Sequence, residues 1–392
     1  MRPTLTALIA LTSILLAATP AVAQPQSRII NGKPASTSTY PWLASLFITS
    51  EADTEMGGGC GGSLINSRWV LTAAHCFLND DSSAVSQNVA ARTRVTLNST
   101  NISQLSSSAI VVDAARVIIH PNYNPDSVSS ANTHDFDIAL VELKTAVNIT
   151  PVSLFNGAMQ ANLPAIVAGW GATVGDGSAS SDRLLATQLI TVKRSACETA
   201  HEGFITSNML CAGGFTDTDT SDTCQGDSGG PLFVMLPQGA LQLGITSFGG
   251  SEDSNCGTPG SPGVYASVPA LMSFISEHVP SVTTVNSLAQ IRYSANVYDG
   301  ATDVVTIPKV YAGNELYSVT LKHTGNLQFT LASAAALTQD DASAVPSFFD
   351  GAQNVLILPL VKVGADTFNV RLQHLGDFRF AVQSADTVQQ AF

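Results

Sequence analysis

Short apolar runs separated by Gly, Pro, Ser and Asn dominate the first two thirds of the chain. Examples are residues 69–71, 138–141 and 244–246. Many short strands broken by turn residues are typical of an all-β domain. One later stretch, residues 269–279, instead carries apolar residues at helical spacing, namely Leu271, Phe274, Ile275 and Val279. The pattern therefore predicts a β-rich domain that closes with one helix, ended by Pro280.

The chain from about residue 294 repeats itself at an offset of 51 residues. A gap-free alignment of residues 298–334 with 349–385 gives 14 identities in 37 positions, far more than unrelated segments give. Within each copy, alternating apolar residues predict a β-hairpin, with its turn at 323–326 in the first copy and 374–377 in the second. We therefore expect a separate small β-rich domain built from two repeats.

Each repeat carries one histidine at the same position, His323 and His374. Paired histidines suggest a metal site, but no acidic or thiol partner repeats at a ligand spacing. We therefore interpret both histidines as polar residues that flank a turn.

Composition narrows the class of protein. A length of 392 residues suggests two domains. Charged residues make up 12% of the chain, Lys and Arg together number 17, and the net charge is −13. Because phosphate binding needs a basic surface, these values exclude nucleic acid as a partner. The acidity favours solubility in an extracellular setting.

The first 23 residues predict export. Arg2 supplies a positive start, residues 5–18 form an apolar stretch, and residues 21–23 are a small-residue cleavage site. The stretch is shorter than the ~20 apolar residues that a membrane span needs, and no later segment is longer. We therefore expect a secreted protein, extracellular or periplasmic, without a membrane span.

Six cysteines fit an oxidising compartment. They are Cys60, Cys76, Cys197, Cys211, Cys224 and Cys256. Their even number predicts three disulfides, while the spacing alone leaves the pairing open. Because no Cys-x-x-Cys pair occurs and no calcium loop can be identified, we expect no metal and no cofactor.

Three residues in distinctive surroundings can supply a nucleophile, a base and a group that orients the base. Ser228 lies within the glycine-rich run 226–230, which allows a tight turn and directs amides at a developing oxyanion. His75 precedes Cys76, which can hold the base in place, and Asp137 begins an apolar strand. Such a trio converts a weak hydroxyl nucleophile into a strong one.

These motifs resemble those of the chymotrypsin/trypsin family of serine endopeptidases. The resemblance covers about residues 29–280 and rests on Leu-Thr-Ala-Ala-His-Cys, Asp-Ile-Ala-Leu and Gly-Asp-Ser-Gly-Gly, in the family's order. It implies two six-stranded antiparallel β-barrels with a C-terminal helix. It also implies that Ser228 is the nucleophile, His75 the general base and acid, and Asp137 the group that orients His75. The amides of Gly226 and Ser228 would form the oxyanion hole.

Two other residues compete for these roles. Asp135 lies near Asp137, but the motif Asp-Ile-Ala-Leu begins at Asp137, which we therefore favour. His120 is interpreted as a structural loop residue. A trio that had lost its function would leave a non-catalytic homologue that binds other molecules through its C-terminal repeats, and the intact trio favours the enzyme.

The resemblance also implies a substrate preference. Asp222 stands six residues before Ser228, where the family places the base of its primary specificity pocket. A carboxylate there favours cleavage of proteins or peptides after Arg or Lys. The implied pocket walls are Ser247, Phe248, Gly249 and Gly263. Phe248 departs from the tryptophan usual in the family, which affects the neighbouring subsite. Proteinaceous inhibitors are further expected partners.

Activation has its own signature. Arg28-Ile29-Ile30-Asn31-Gly32 resembles the family's zymogen cleavage site. A cut after Arg28 would release the peptide 24–28 and free the amine of Ile29, which would pair with Asp227. Because Arg28 matches the preference implied by Asp222, we expect self-activation.

The resemblance implies the cysteine pairs Cys60–Cys76, Cys197–Cys211 and Cys224–Cys256. The expected order along the chain is a signal peptide (1–23), an activation peptide (24–28), a peptidase domain (29–280), a linker (281–293) and the repeat domain (294–392), to which the sequence assigns no role.

Overall fold

The structure is a computed structural model. It describes residues 29–51, 56–78, 88–124, 134–178, 180–214, 219–236, 239–249, 255–287, 295–312, 315–338, 344–351 and 353–387. The chain divides into two compact units, Gln26–Ile291 and Arg292–Gln390. The predicted signal peptide, the activation peptide and Arg28 lie outside the described residues.

The first unit begins with a closed six-stranded barrel. A short lead-in strand, β1 (Lys33–Pro34), precedes it and pairs with a strand of the second barrel. The barrel strands follow the ring order β2-β3-β4-β7-β6-β5. Their bounds are β2 (Leu43–Thr49), β3 (Gly57–Asn66), β4 (Trp69–Thr72), β5 (Thr93–Leu97), β6 (Ile110–Ile119) and β7 (Ala139–Leu143).

The second barrel closes in the ring order β9-β10-β11-β14-β13-β12, again with antiparallel neighbours. Strands β8 and β15 lie outside this ring and pair in parallel. The bounds are β8 (Ser153–Phe155), β9 (Pro164–Gly169), β10 (Leu185–Val192), β11 (Met209–Gly213), β12 (Pro231–Leu236), β13 (Gly239–Phe248), β14 (Gly263–Ser267) and β15 (Thr284–Val285).

Two α-helices lie in the described part of this unit, α1 (Arg194–Ala200) and α2 (Met272–His278). The fold class and the C-terminal helix predicted from the sequence are confirmed. Helix α2 starts three residues later than predicted, because residues 269–271 form a turn. All four apolar residues of its predicted face are buried: Leu271, Phe274, Ile275 and Val279. No helix among the described residues is long and apolar enough to cross a membrane.

The second unit is a β-barrel in which the two repeats have the same elements. The first repeat contains β16 (Val297–Asp299), β17 (Val304–Ala312), β18 (Glu315–Gly325) and β19 (Gln328–Ala336). The second contains β20 (Ser347–Asp350), β21 (Val355–Val363), β22 (Asp366–Gly376) and β23 (Arg379–Thr387). Strands β21, β22 and β23 each begin 51 residues after their counterparts, and β20 begins 50 after β16, in agreement with the sequence period.

Exchanged pairings join the two repeats. Strand β16 pairs in parallel with β21 of the other repeat, β20 does the same with β17, and β19 pairs with β23. The shared core takes the same position from both copies, as with Leu321 (0% exposed) and Leu372 (1%), or Phe329 (8%) and Phe380 (4%). One repeat alone would expose this apolar face, so the duplication completes the core.

The two hairpins form as predicted, but their turns lie later than the sequence indicated. The turn residues are Asn326 and Leu327 in one hairpin and Asp377 and Phe378 in the other, and all four have positive φ. Two successive residues with positive φ form the tight turn that suits a hairpin's twist. Consequently Leu327, which the alternation had assigned to a strand, is 65% exposed.

Candidate active site

Ser228 lies in the loop that leads into β12. This loop packs against the first barrel. Its carbonyl oxygen accepts a hydrogen bond from the amide of Gly61 in β3 at 2.7 Å. Gly229 has a φ of 79°, and a Cβ there would overlap the hydroxyl of Thr72, the last residue of β4. Only glycine allows this close approach. Because His75 follows shortly after Thr72, the contact brings the half-buried Ser228 to the His75 turn.

His75 and Asp137 form a tight pair. The Nδ1 atom of His75 lies 2.7 Å from Oδ2 of Asp137, and the backbone amide of His75 donates to Oδ1 at 2.9 Å. The Asp137 side chain is fully buried, and that of His75 is 19% exposed. Two bonds from one residue fix the imidazole relative to the carboxylate. The hydroxyl of Ser228 itself makes no hydrogen bond within the described residues.

The pair shifts the pKa of each partner. Burial lowers the pKa of His75, but the charge of Asp137 and its hydrogen bond outweigh this effect and raise the pKa above 6.5. Burial raises the pKa of Asp137, but His75 and the other hydrogen-bond donors reverse the shift and lower it. Asp137 therefore raises the proton affinity of His75, which favours proton uptake by a general base.

Ser247 has a contact that the sequence did not reveal. Its hydroxyl donates to Oδ2 of Asp137 at 2.5 Å, so the carboxylate accepts three hydrogen bonds in all. We had expected Ser247 only as a pocket wall. No local pattern signals the contact, because Ser247 lies near the end of a strand of the other barrel.

The two competing residues have other partners. Asp135 accepts hydrogen bonds from the hydroxyl of Thr206 at 2.8 Å and from Nδ2 of Asn208 at 2.9 Å. It therefore connects its loop to the second barrel and does not contact His75. His120 stacks on Phe136 with ring centroids 4.5 Å apart, as expected of a structural residue.

The amides around Ser228 divide into two groups. Those of Asp227, Gly229 and Gly230 donate to backbone carbonyls at 2.8–2.9 Å. Those of Gly226 and Ser228 donate to no acceptor in the described part of the chain. Gly226 has a φ of 92°, a conformation that suits glycine. An oxyanion hole requires a pair of unused amide donors of this kind.

Asp222 is buried next to two neighbouring glycines, Gly249 and Gly263. A Cβ on Gly249 would lie 3.8 Å from Oδ2 of Asp222, and one on Gly263 would lie 2.7 Å from Oδ1. The side chain is 2% exposed and accepts backbone hydrogen bonds from Thr223 (2.8 Å) and Gly257 (3.0 Å). Burial, only partly opposed by these bonds, raises the pKa of Asp222 to about 7. It has no cationic partner among the residues described.

Phe248, the residue before Gly249, contacts two histidine rings. His134 stacks on it, with ring centroids 5.1 Å apart, and His201 meets it edge-on at 6.0 Å. The Nε2 atom of His201 lies 2.9 Å from the carbonyl oxygen of Pro262. Burial lowers the pKa of both His134 and His201. The sequence singled out neither histidine.

Ile29 and Asp227 lie in the interior of the second barrel. Ile29 is 0% exposed within the barrel core, and Ile30 forms a β-bridge with Asp222. Asp227 is 2% exposed, and its two oxygens accept the amides of Gly171 (2.9 Å) and Cys224 (3.1 Å). Burial, opposed by these bonds, raises the pKa of Asp227 to about 7. No cation pairs with it in the described ranges.

Three disulfides surround these features, in the pairs that the resemblance implied. Cys60–Cys76 joins β3 to the turn that carries His75, and Cys197–Cys211 joins α1 to β11. Cys224–Cys256 connects the loop before Ser228 to the segment whose Gly257 amide binds Asp222. All six cysteines are paired.

Comparison with known proteins agrees with this architecture. The family model described as Trypsin matches residues 29–275. "Serine protease 1" of Rattus norvegicus is 35% identical over 224 residues, which are 56% of this chain and 80% of that protein. "Trypsin" of Sus scrofa is 33% identical over 256 residues, 64% of this chain and 96% of that protein. "Kallikrein-8" of Mus musculus is 33% identical over 246 residues, 62% and 83% respectively.

The repeat unit lies beyond the family match, which ends before helix α2 is complete. The matched part contains both barrels, the three disulfides and the three motifs in the family's order. With the family model covering more than half of its length, this chain belongs to the trypsin family of serine proteases.

Proposed function

We propose that the protein is a secreted serine endopeptidase that hydrolyses peptide bonds after Arg or Lys through an acyl-enzyme. The observation that carries the proposal is the combination of the His75–Asp137 pair next to Ser228 with a buried, cation-free carboxylate at Asp222. The pair supplies the chemistry and the carboxylate the specificity. Three disulfides support an extracellular or periplasmic location.

In the proposed reaction, Oγ of Ser228 attacks the scissile carbonyl carbon while His75 accepts the hydroxyl proton. Asp137 holds the imidazole in orientation and stabilises its positive charge. The amides of Gly226 and Ser228 donate to the oxygen as it becomes negative. His75 then protonates the leaving amine, the acyl-enzyme forms, and water reverses the sequence with His75 again as base. The Ser228–His75 hydrogen bond forms in the substrate complex, as is common for such sites.

Specificity follows from burial. A long cationic side chain can approach Asp222 alongside Gly249 and Gly263, since these two neighbouring glycines place no side chain next to the carboxylate. The pair gains strength because it is shielded from water. A neutral substrate side chain leaves the carboxylate unpaired, and a buried unpaired charge is costly.

The proposal includes synthesis as a zymogen that is cut after Arg28. The new amine of Ile29 then pairs with Asp227. Supporting this step, Ile29 is already fully buried and the Asp227 carboxylate has no cationic partner in the described chain. Since Arg28 fits the proposed specificity, the enzyme can activate itself.

The test of catalysis is hydrolysis of a small arginine amide by the purified, cleaved protein, with Ser228→Ala as the matched control. We expect hydrolysis by the parent and none by the variant. Equal rates in both proteins, or an inactive parent with a correctly formed Ile29 terminus, would contradict the proposal and favour a non-catalytic binding homologue.

Self-activation is tested separately. The Ser228→Ala chain, purified alone, should retain residues 24–28 when its mass is measured, and should lose them after active parent enzyme is added. Loss of the peptide without added enzyme would show that another protease performs the cut.

A further inference from the structure

His134 lies close to the His75–Asp137 pair. Its ring centroid is 6.1 Å from that of His75, with the two rings nearly perpendicular. His75, His134 and Asp137 each offer one ligand atom, and these atoms lie within 4.8 Å of one another. A second cluster of Cys60, His75 and Cys76 has the same spacing, but its sulfurs are already joined in a disulfide.

The position of His134 is held from two sides. Its φ is 70°, an uncommon backbone conformation for a non-glycine residue. The next residue, Asp135, is bound by Thr206 and Asn208 at 2.8 and 2.9 Å, which fixes the loop. The ring is fixed by stacking on Phe248. These contacts hold the ring close to His75 and Asp137 before any ligand binds.

The Nδ1 atom of His134 is buried and has no hydrogen-bond partner among the described residues. Buried ring nitrogens normally have a partner, so this one requires an explanation. Phe248 covers one face of the ring, and one of the two ring nitrogens of His134 lies within 4.8 Å of ligand atoms of His75 and Asp137. A ligand that bridges these three side chains would satisfy the nitrogen.

We propose that His75, His134 and Asp137 form an inhibitory binding site for a divalent transition-metal ion, with Zn²⁺ as the best match. Two imidazoles and one carboxylate are a common zinc ligand set, with a fourth position left for water. Calcium and magnesium prefer oxygen ligands and fit less well. The buried carboxylate of Asp137 supplies negative charge to the cation. The sequence predicted no such site, because His75 is distant in sequence from His134 and Asp137.

The geometry also explains why the ion would inhibit. In a tetrahedral zinc site, neighbouring ligand atoms are about 3.3 Å apart. The His75–Asp137 contact is 2.7 Å, so the ion must separate this pair while drawing His134 closer. The imidazole is then bound to metal and no longer accepts the proton of Ser228. This consequence rests on the proposed function, whereas metal binding itself does not.

Binding is tested without activity, on the cleaved Ser228→Ala protein titrated with Co²⁺, whose visible absorption reports four-coordinate ligation. We expect one Co²⁺ bound with tetrahedral bands, displaced by Zn²⁺. His134→Gln should weaken binding by at least about 10–100-fold, since that loss is already seen when a metal site loses only a group that supports a ligand. His201→Gln is the matched control, since it removes another histidine beside Phe248 but lies outside the cluster.

The absence of tetrahedral bands in the parent at about 1 mM metal would overturn the proposal, since Kd values weaker than this correspond to only about 4 kcal/mol. Unchanged affinity in a folded His134→Gln protein would do the same, as would an equal loss in the control. In the active enzyme, Zn²⁺ should inhibit reversibly and His134→Gln should weaken inhibition by the same factor. Hydrolysis without any metal binding rejects this site alone and leaves the proposed function intact.

Discussion

Replacing Asp222 by Asn should lower activity but raise stability at alkaline pH. The carboxylate is 2% exposed and, in the proposed function, pairs with the cation of the substrate. Removing one partner of a buried ion pair costs about 3–5 kcal/mol. At about 1.4 kcal/mol per factor of ten, kcat/KM for arginine and lysine substrates should fall about 10²–10⁴-fold.

Without substrate, the Asp222→Asn protein should be more stable than the parent at alkaline pH. Burial raises the pKa of Asp222 to about 7, against an ordinary value near 3.9 in the unfolded chain. A raised carboxyl pKa destabilises the folded state as the group ionises. The penalty is nearly absent below about pH 4, grows between about pH 4 and 7, and reaches about 4 kcal/mol at pH 8. An asparagine at this position carries no such penalty.

The two backbone hydrogen bonds to Asp222 make a second contribution to the change in the free energy of unfolding. The amides of Thr223 and Gly257 donate to different oxygens of Asp222, and an asparagine side chain can accept only one of them. The unsatisfied donor costs about 1–3 kcal/mol at every pH. We therefore expect a net gain of about 1–3 kcal/mol at pH 8 and a net loss of similar size at pH 4.

The assay is urea unfolding of the Ser228→Ala protein, with and without Asp222→Asn, at pH 4 and pH 8. The Ser228→Ala background prevents self-digestion. Because the amide contribution is the same at both pH values, the difference between them reports the ionisation of Asp222 together with its electrostatic effect on Asp227. A stability difference independent of pH would refute the assignment of a strained buried carboxylate. Undiminished arginine cleavage by active enzyme that carries Asp222→Asn would refute the role of this carboxylate in specificity.

Three further predictions concern the pocket walls and the catalytic pair. Gly263→Ala places a methyl group 2.7 Å from the pocket carboxylate and should cost about 1–3 kcal/mol in urea unfolding, whereas the Cβ of Gly249→Ala makes ordinary contacts and should cost little. Asp137→Asn should lower kcat about 10⁴-fold, the size typical of this family's triad, while Asp135→Asn should mainly lower the melting temperature. Because its carboxylate partner raises the pKa of His75, the acidic limb of kcat/KM against pH should have its midpoint above 6.5, and a midpoint well below that would contradict the pairing.

Much of the fold could be predicted because local patterns determine it. The apolar runs became β4, β7 and β13, and the period of 51 residues became four pairs of equivalent strands. The hairpin turns were displaced because the alternation continues through Leu327, while the turn is set by the positive φ of Asn326 and Leu327. A backbone conformation of this kind leaves only a weak trace in sequence.

The candidate site was predictable only where its parts are contiguous in sequence. The run around Ser228 and the segment around His75 could be recognised from neighbouring residues. The contact of Ser247 with Asp137 joins the two barrels, and no residue near Ser247 signals it. His134 went unrecognised for the same reason, since its relation to His75 exists only after the first barrel closes.

Asp222 and Asp227 are two buried carboxylates that the proposed mechanism pairs with cations from different sources. The charge of Asp222 contributes to the raised pKa of Asp227, so the two sites are electrostatically coupled. Before cleavage neither carboxylate has a cation within the described residues, and ionising both is costly.

The freed amine of Ile29 would pair with Asp227 and thereby remove one of the two unpaired charges. Ionisation of Asp222 is then opposed by burial alone, and the arginine or lysine of a substrate compensates for it. Cleavage after Arg28 should therefore lower the pKa of both carboxyl groups. The lower pKa of Asp222 should strengthen the binding of cationic substrates, because a larger fraction of this carboxyl group is then ionised. A cleaved protein in which the pKa of Asp222 is unchanged would show that the two sites act independently.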